Sequence, residues 1–492
     1  MNVPVHRQLS PSATSRLLGT WHVAGPAYSA LADGLRAAVL AGTLPPHTRL
    51  PSERRLAEAL GVSRTTTTAA YRRLRDLGYA RSRAGSGTVA VLPRTASGGP
   101  VPPPPGEGGD APAPSSARTA VAHAASDVVD LAQATPAAPP ELHAAYVRAL
   151  EALPAYLTRG GYEPFGLRAL RQAIADRYTE RGTPTTPDQI LVTTGAQQAI
   201  GLLASALLAP RDAAVVQSPT YFHAMQALRG AGARLVGVPS GPDGLDLALF
   251  ESTLRTTRPR VVYLVPDFHN PTGATLGAED RERVADLAVR HGTTVIGDET
   301  LSEVVLEGPD GAPPTDADVP PPFALDGRSE RMVSVGSASK AFWGGLRVGW
   351  VRAHADLVAR LAATRQSADI ATAVLEQLAV TELLGHRAAI LGPRRRMLRE
   401  ARDTLVDGLR AGLPAWSVPR PAGGLSVWVD VGRPVALAFA AAAAAEGVLV
   451  NAGPTFTPDA TSRDHVRVTL AQPADQIARA VPRLVRAWER VT

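Results

Sequence analysis

Arg331-Met332-Val333-Ser334-Val335-Gly336-Ser337-Ala338-Ser339-Lys340 is the stretch on which the reading of this chain turns. An apolar run of strand type gives way to small hydroxyl residues and then to the only lysine among 492 residues; the other 50 of the 51 Lys-plus-Arg positions are arginine. Guanidinium serves in most salt bridges and surface roles. It cannot serve as a primary amine that loses its proton and attacks a carbonyl. A lone lysine in an arginine-saturated chain is therefore a candidate for covalent chemistry, against the plainer reading of a surface residue left by chance. Position decides between them: the lysine follows a buried strand and two hydroxyls, and Arg347 lies seven residues on.

Three more strand-type runs lie upstream. Ile190-Leu191-Val192-Thr193-Thr194 passes through Gly195 into Ala196-Gln197-Gln198-Ala199-Ile200, a strand–glycine–helix turn whose free N–H groups suit a phosphate. Val261-Val262-Tyr263-Leu264-Val265-Pro266 leads to Asn270-Pro271-Thr272-Gly273, and Thr294-Val295-Ile296-Gly297 delivers Asp298. Strands alternating with helical stretches imply a parallel α/β sheet with ligands at the strand ends. Together the residue types describe one chemistry. Lys340 would form a Schiff base with pyridoxal phosphate, and Asp298 would pair with the pyridine nitrogen and keep the ring an electron sink. Asn270 would donate to the ring oxygen, and Tyr221 would stack on the ring face. Ser337, Ser339, Arg347 and the amides near Ala196 and Gln197 would hold the phosphate.

Over about residues 128–492 these motifs, in this order, resemble the class I, fold-type I aminotransferases. The matching positions are Tyr162 with Gly166, the Gly195-Ala196-Gln197 turn, Asn270-Pro271-Thr272-Gly273, Asp298, and Ser337-x-Ser339-Lys340 with Arg347. The resemblance implies an α/β pyridoxal-phosphate transferase fold of type I with a large and a small lobe. It also implies a homodimer in which Tyr162 reaches the neighbouring subunit's phosphate, and a carboxylate-binding role for Arg467 in Val466-Arg467-Val468-Thr469-Leu470. Thr300 and Leu301 stand where that family usually has a tyrosine against the ring oxygen, and Gly344 where proline is frequent. The ring oxygen thus has fewer partners for transamination.

Charge divides the chain. Residues 1–92 hold 12 arginines and 4 acidic residues, a balance of +8, whereas the remaining 400 residues balance at −2. A compact basic segment on a near-neutral body suits a polyanionic partner. Between them, Pro93 to Asp127 has eight prolines and five glycines but no Leu, Ile, Phe, Tyr or Trp, which is the composition of a linker. Length alone, at roughly 100–200 residues per domain, allows two to four domains. The division expected here is a DNA-binding domain at 1–92, a linker at 93–127 and a cofactor domain at 128–492. The absence of cysteine excludes disulfide scaffolds, cysteine–zinc sites and cysteine nucleophiles, and no metal is expected. No stretch of about 18 uncharged apolar residues is present, and Met1 to Gly25 lacks the apolar core of a secretion signal. A soluble cytoplasmic protein without membrane contact is the expectation.

The basic segment reads as a winged helix-turn-helix, mostly helical with a β wing. Tyr28 to Ala41 has helical periodicity, and a second short helix follows Ser52 and stops at Gly61. Gly61-Val62-Ser63 is a tight turn into a third helix that Ser63 caps and that ends near Gly78. Arg64 and Thr65 to Thr68 would face the major groove, with Tyr71, Leu74 and Leu77 toward the core. Tyr79 to Leu92 reads as a hairpin about Ala84-Gly85-Ser86-Gly87. The strings Leu50-Pro51-Ser52-Glu53-Arg54-Arg55-Leu56-Ala57 and Leu60-Gly61-Val62-Ser63-Arg64-Thr65-Thr66 resemble GntR-type regulators over about residues 28–92, as does Gly85-Ser86-Gly87-Thr88. By that resemblance Arg54, Ser63, Arg64, Thr65 and Thr66 meet double-stranded operator DNA, with Gly85 at the wing tip. His47 stands where that family usually has glycine. A basic domain that binds protein or RNA is the alternative.

The fusion of these parts resembles the MocR/PdxR regulators. That resemblance implies a transcription regulator that senses pyridoxal phosphate, often with an amino compound that displaces Lys340 as an external aldimine and docks a carboxylate at Arg467. Paired DNA domains would suit half-sites about 10 bp or a multiple apart. Two alternatives stand beside it: a competent aminotransferase with an accessory DNA-binding domain, and a repressor whose cofactor is structural only.

Overall fold

The computed structural model describes residues 7–19, 21, 26–40, 43–44, 48–83, 87–91, 128–241, 244–324 and 330–491. The expected linker, His47 and Gly85 lie outside the described residues. The chain forms two compact units, one built mainly from the first hundred residues and one from the remainder.

In the first unit, helices α1 (Pro11–Leu18), α2 (Ala27–Leu40), α3 (Glu53–Leu60) and α4 (Arg64–Asp76) accompany a four-stranded sheet. Its strands are β1 (Arg7–Gln8), β2 (Thr48–Arg49), β3 (Ala80–Arg83) and β4 (Gly87–Ala90), ordered β1-β2-β4-β3. Leu31, Leu35, Leu56, Tyr71 and Leu74 share one apolar core. Ser52 caps α3 by accepting from Arg55 N, and Gly61 closes it at φ 65°. Ser63 caps α4, its Oγ accepting from Thr66 N at 3.1 Å. Each such cap contributes about 1 kcal/mol, so the turn between the two helices is held from both sides.

Two readings of α4 need correction. Thr67 is fully buried and its hydroxyl donates to the Glu53 carbonyl at 3.0 Å, so it ties α4 to α3 instead of facing a groove. Leu77 is 39% exposed because it is the C-cap residue, where the chain is already leaving the helix. Strand β1 and helix α1 were not anticipated. Ser10 caps Pro11–Leu18, and Leu17 and Leu18 pack on the core.

The second unit is built on a mixed sheet ordered β6-β13-β12-β11-β10-β7-β8, extended at one edge by the two-residue strand β9. The strands are β6 (Ile190–Thr193), β7 (Ala213–Ser218), β8 (Arg234–Gly241), β9 (Gly244–Leu245), β10 (Val261–Leu264), β11 (Thr294–Asp298), β12 (Met332–Ser337) and β13 (Gly349–Arg352). The central strands β7, β10, β11 and β12 run parallel, and β13 is antiparallel to both its neighbours. Because both faces are covered, the central strands are largely apolar: Val261 to Leu264 and Val295 to Ile296 have no exposure. Strand ends of a parallel sheet point their loops to one edge, and so Asp298 and Ser337, the last residues of neighbouring strands, arrive together.

A smaller sheet of β14 (Ser426–Asp430), β16 (Asn451–Ala452) and β17 (His465–Thr469) packs with the helices Arg387–Gly412 and Ala474–Glu489 around a separate core. The Ala436–Ala445 run is helix, as its composition suggests. Beside this sheet, β5 (Val129–Asp130) runs parallel to β15 (Val448–Leu449). Among the described residues no helix is long and apolar enough to cross a membrane.

Candidate functional site

One cavity of about 440 Å³ gathers Ala196, Gln197, Tyr221, Asn270, Asp298, Ser337, Ser339, Lys340, Arg347 and Arg467. Gly195 is the N-cap of the helix Ala196–Leu207 and lies at φ 85°. That positive φ favours glycine, and a Cβ there would sit 2.5 Å from the Arg347 guanidinium and displace it from the helix start. Arg347 itself has left-handed backbone, φ 51°, and donates to the Thr194 carbonyl at 3.3 Å. Ser337 Oγ and Ser339 Oγ are 3.0 Å apart, and Ser339 N donates to Ser337 Oγ at 3.1 Å. Helix amides, two hydroxyls and a guanidinium thus converge as they do around a phosphate.

The charged pair opposite is Asp298 and Lys340. Asp298 is buried; its Oδ2 accepts from the Tyr263 hydroxyl at 2.6 Å and its Oδ1 from Thr300 N at 3.0 Å. Burial pushes its carboxyl above the usual range, and these hydrogen bonds and the nearby lysine work against that rise. Burial lowers the Lys340 ammonium to about 8, assisted by the Arg467 and Arg347 cations and opposed by Asp298. Its Nζ donates to the Ala134 carbonyl at 2.7 Å. Tyr221 is pushed up to about 12, chiefly by burial.

Arg467 comes from β17 and is almost completely buried. Nη1 donates to Asn270 Oδ1 at 3.0 Å, which leaves the Asn270 amide N–H groups for another acceptor. Nη2 donates to the Ala132 carbonyl, the Phe456 ring lies 4.8 Å from the guanidinium carbon, and Nε has no partner among the described residues. Burial lowers its pKa to about 10, so it remains a cation at neutral pH.

Tyr162 does not join this group: it is 70% exposed and lines no part of the cavity within one chain. Sequence reasoning missed Tyr263, Ala132 and Ala134. Tyr263 carried a signal, since a phenol inside a fully buried strand needs a partner for its hydroxyl. The two alanines carried none, because their backbone oxygens make the contact. Asp430, Asp464 and His465 form a possible metal-ligand group among the described residues. Two of its ligand atoms face each other, His465 Nδ1 on Asp464 Oδ1 at 2.7 Å, and Gly432 N occupies Asp430 Oδ1 at 2.7 Å.

In the first unit, Arg54, Ser63, Arg64 and Thr65 are exposed and Thr66 is half-buried. The Ser63 hydroxyl sits 2.6 Å from Thr65 Oγ1 and 2.8 Å from Thr66 Oγ1, so cap and flanking threonines form one hydroxyl cluster at the start of α4.

Two family models match parts of the chain. Residues 27–89 match the model of bacterial regulatory proteins of the gntR family, and residues 127–484 match aminotransferase class I and II. An uncharacterized HTH-type transcriptional regulator, YisV of Bacillus subtilis, is 28% identical over 95% of this chain and 92% of its own length. The probable rhizopine catabolism regulatory protein MocR of Rhizobium meliloti is 31% identical over 80% of this chain and 78% of its own. Among solved structures, the α-aminoadipate aminotransferase LysN of Thermus thermophilus superposes with a TM-score of 0.66. It covers 74% of this chain and 93% of its own at 28% identity, and that structure holds N-(5'-phosphopyridoxyl)-L-leucine.

Proposed function

The chain belongs to the MocR-type regulators, in which a GntR helix-turn-helix domain is fused to a class I and II aminotransferase domain, and from that premise we propose that it is a transcription regulator whose DNA affinity responds to pyridoxal phosphate and an amino compound in the cavity around Lys340. The carrying observation is that the chain's single lysine, with its pKa lowered to about 8, shares this cavity with a buried carboxylate and a buried guanidinium.

The donor set fits the cofactor. Ser337, Ser339, Arg347 and the Ala196 and Gln197 amides would hold the phosphate. Asp298 would hold the ring nitrogen, Tyr221 a ring face, and the free Asn270 N–H groups the ring oxygen. Gln197 Oε1 and Arg467 Nε, both buried without a hydrogen-bond partner, are the kind of atoms a bound ligand satisfies. When bound, pyridoxal phosphate supplies an aldehyde for an amine and an electron-withdrawing ring. Tyr263 and Thr300 N hold the Asp298 carboxylate in place. Asp298 keeps a proton on the ring nitrogen, because a buried carboxylate favours a cationic N–H beside it. Lys340 supplies the neutral amine, and Arg467 orients an amino compound by its carboxylate. The LysN complex, with a phosphopyridoxyl amino acid in a related fold, supports this reading.

Occupancy alters DNA binding only as far as the ligand prefers one arrangement of the protein over another. The DNA contacts assigned to Arg54, Ser63, Arg64, Thr65, Thr66 and Gly85, and a homodimer completed by Tyr162, belong to the same proposal. The test is a DNA titration of the full chain with and without pyridoxal phosphate and candidate amines, alongside the cofactor's visible spectrum. A DNA midpoint that moves with spectral saturation supports the regulator; a fixed midpoint at full occupancy removes it. The intact Lys340, Asp298 and Arg467 set favours one alternative, a competent aminotransferase. Turnover of a keto acid at enzyme-like rates would establish that reading.

A further inference from the structure

The residues that join the linker to the body also reach into the cavity. Strand β5 is anchored by Val129 N to the Gly447 carbonyl and Leu131 N to the Leu449 carbonyl, both at 2.9 Å. From there the chain turns, with Asp130 Oδ1 accepting from Ala132 N at 2.9 Å and Gln133 N at 3.1 Å. The turn aims the alternate carbonyls of Ala132 and Ala134 inward. Ala132 O accepts from Arg467 Nη2 and from Asn451 Nδ2, and Ala134 O accepts from Lys340 Nζ. Lys340 and Arg467 are therefore both held by backbone of one short segment, 132–134. That segment's only covalent route toward the N-terminus is the sequence that leads to the DNA-binding domain.

We propose that residues 129–135 are a strap that competes with the ligand for Lys340 and Arg467, so that filling the cavity loosens the strap and alters the anchorage of the linker. This rests on the pyridoxal-phosphate reading and supplies its coupling step. Ala134 O loses its donor when the Lys340 amine is taken up. A carboxylate at Arg467 places a second acceptor beside Ala132 O, and two anionic or partly anionic oxygens sharing one buried guanidinium repel each other. Val129 and Leu131 are fixed in the core, with Thr469 N on the Leu131 carbonyl at 2.9 Å, so the loosening falls on residues 132–135. The strap and the ligand-free cavity form one state, and the loosened strap and the filled cavity form the other.

Thr469 separates this from a purely structural role. Its hydroxyl holds the Gln133 carbonyl at 3.1 Å, and it does not line the cavity. Thr469→Val in the full chain removes a strap contact only. It should tighten binding of N-(5'-phosphopyridoxyl)-L-leucine about threefold to tenfold, the size of one modest hydrogen bond. It should also move ligand-free DNA affinity toward the ligand-bound value. Hydrogen exchange in the wild-type chain should speed up at least tenfold for Ala132 and Gln133 when the adduct binds, with Val261 to Leu264 unchanged. Unchanged or weaker adduct binding in the variant, or unchanged exchange at spectral saturation, overturns the strap and leaves the cofactor reading intact. Failure of the wild type to bind pyridoxal phosphate or the adduct overturns both. If Thr469→Val does not fold, Gln472→Leu, which frees the Asp130 carbonyl held at 3.2 Å, is the equivalent test.

Discussion

In the DNA-reading unit, Arg54 and Arg55 of α3 and Arg64 of α4 stand exposed, and among the described residues Arg54 pairs with Glu58 at 3.9 Å, itself in solvent. In the cofactor-type unit, Arg281, Arg365 and Arg402 are among the largest fully buried side chains. Arg281 pairs with the fully buried Asp267, and Arg365 binds Asp369 at 2.7 Å and the Val192 carbonyl at 2.6 Å. One residue type serves two ends. Exposed guanidinium keeps its charge available to a polyanion and contributes little to folding. Buried guanidinium is a structural joint whose five donors close a gap between loops. A count of arginines cannot separate the two, whereas the local excess over acidic residues, +8 in residues 1–92 against −2 elsewhere, does.

The comparison breaks first at the one basic residue that is not arginine. Lys340→Arg keeps the charge and should abolish the borohydride-reducible link to pyridoxal phosphate completely, as read by intact mass. A persisting link would take Lys340 out of its assigned role. Next, Arg281→Ala leaves Asp267 buried with Ser302 as its one remaining side-chain partner among the described residues. Removing one partner of a buried pair costs roughly 3–5 kcal/mol, which urea unfolding of the full chain should show. A loss under about 1 kcal/mol would put this arginine on the footing of a surface pair. Arg64→Ala should do the reverse: binding to a selected DNA site falls by about 1–3 kcal/mol, while the unfolding midpoint and the cofactor spectrum stay put. The smallest effect is in pH. Capture of the aldehyde needs the neutral amine, and the folded pKa of Lys340 lies near 8, below the usual 10.5. The capture rate should therefore rise through about pH 8 and level off above it; a rise continuing to pH 10 would mean an unperturbed ammonium.

The sequence was legible where a residue type is chemically irreplaceable. Asp298 ends a strand-type run, Lys340 follows one and Arg467 sits within a third, and the fold brings all three into one cavity. Thr67 was misjudged because a run of identical polar residues hides its face. Spacing to Ala70, Tyr71 and Leu74 would have put it on the buried side. Tyr263 reaches Asp298 from a neighbouring strand, a contact made by sheet register that no local pattern encodes. The strap was invisible for a deeper reason: its acceptors are peptide oxygens, present at every position and marked by none.

Because the chain's single lysine lies in the cavity beside Arg467, no other lysine is left to carry positive charge elsewhere on the protein. Lysine acetyltransferases would find no substrate there, so this protein's grip on nucleic acid escapes the commonest enzymatic means of erasing positive charge.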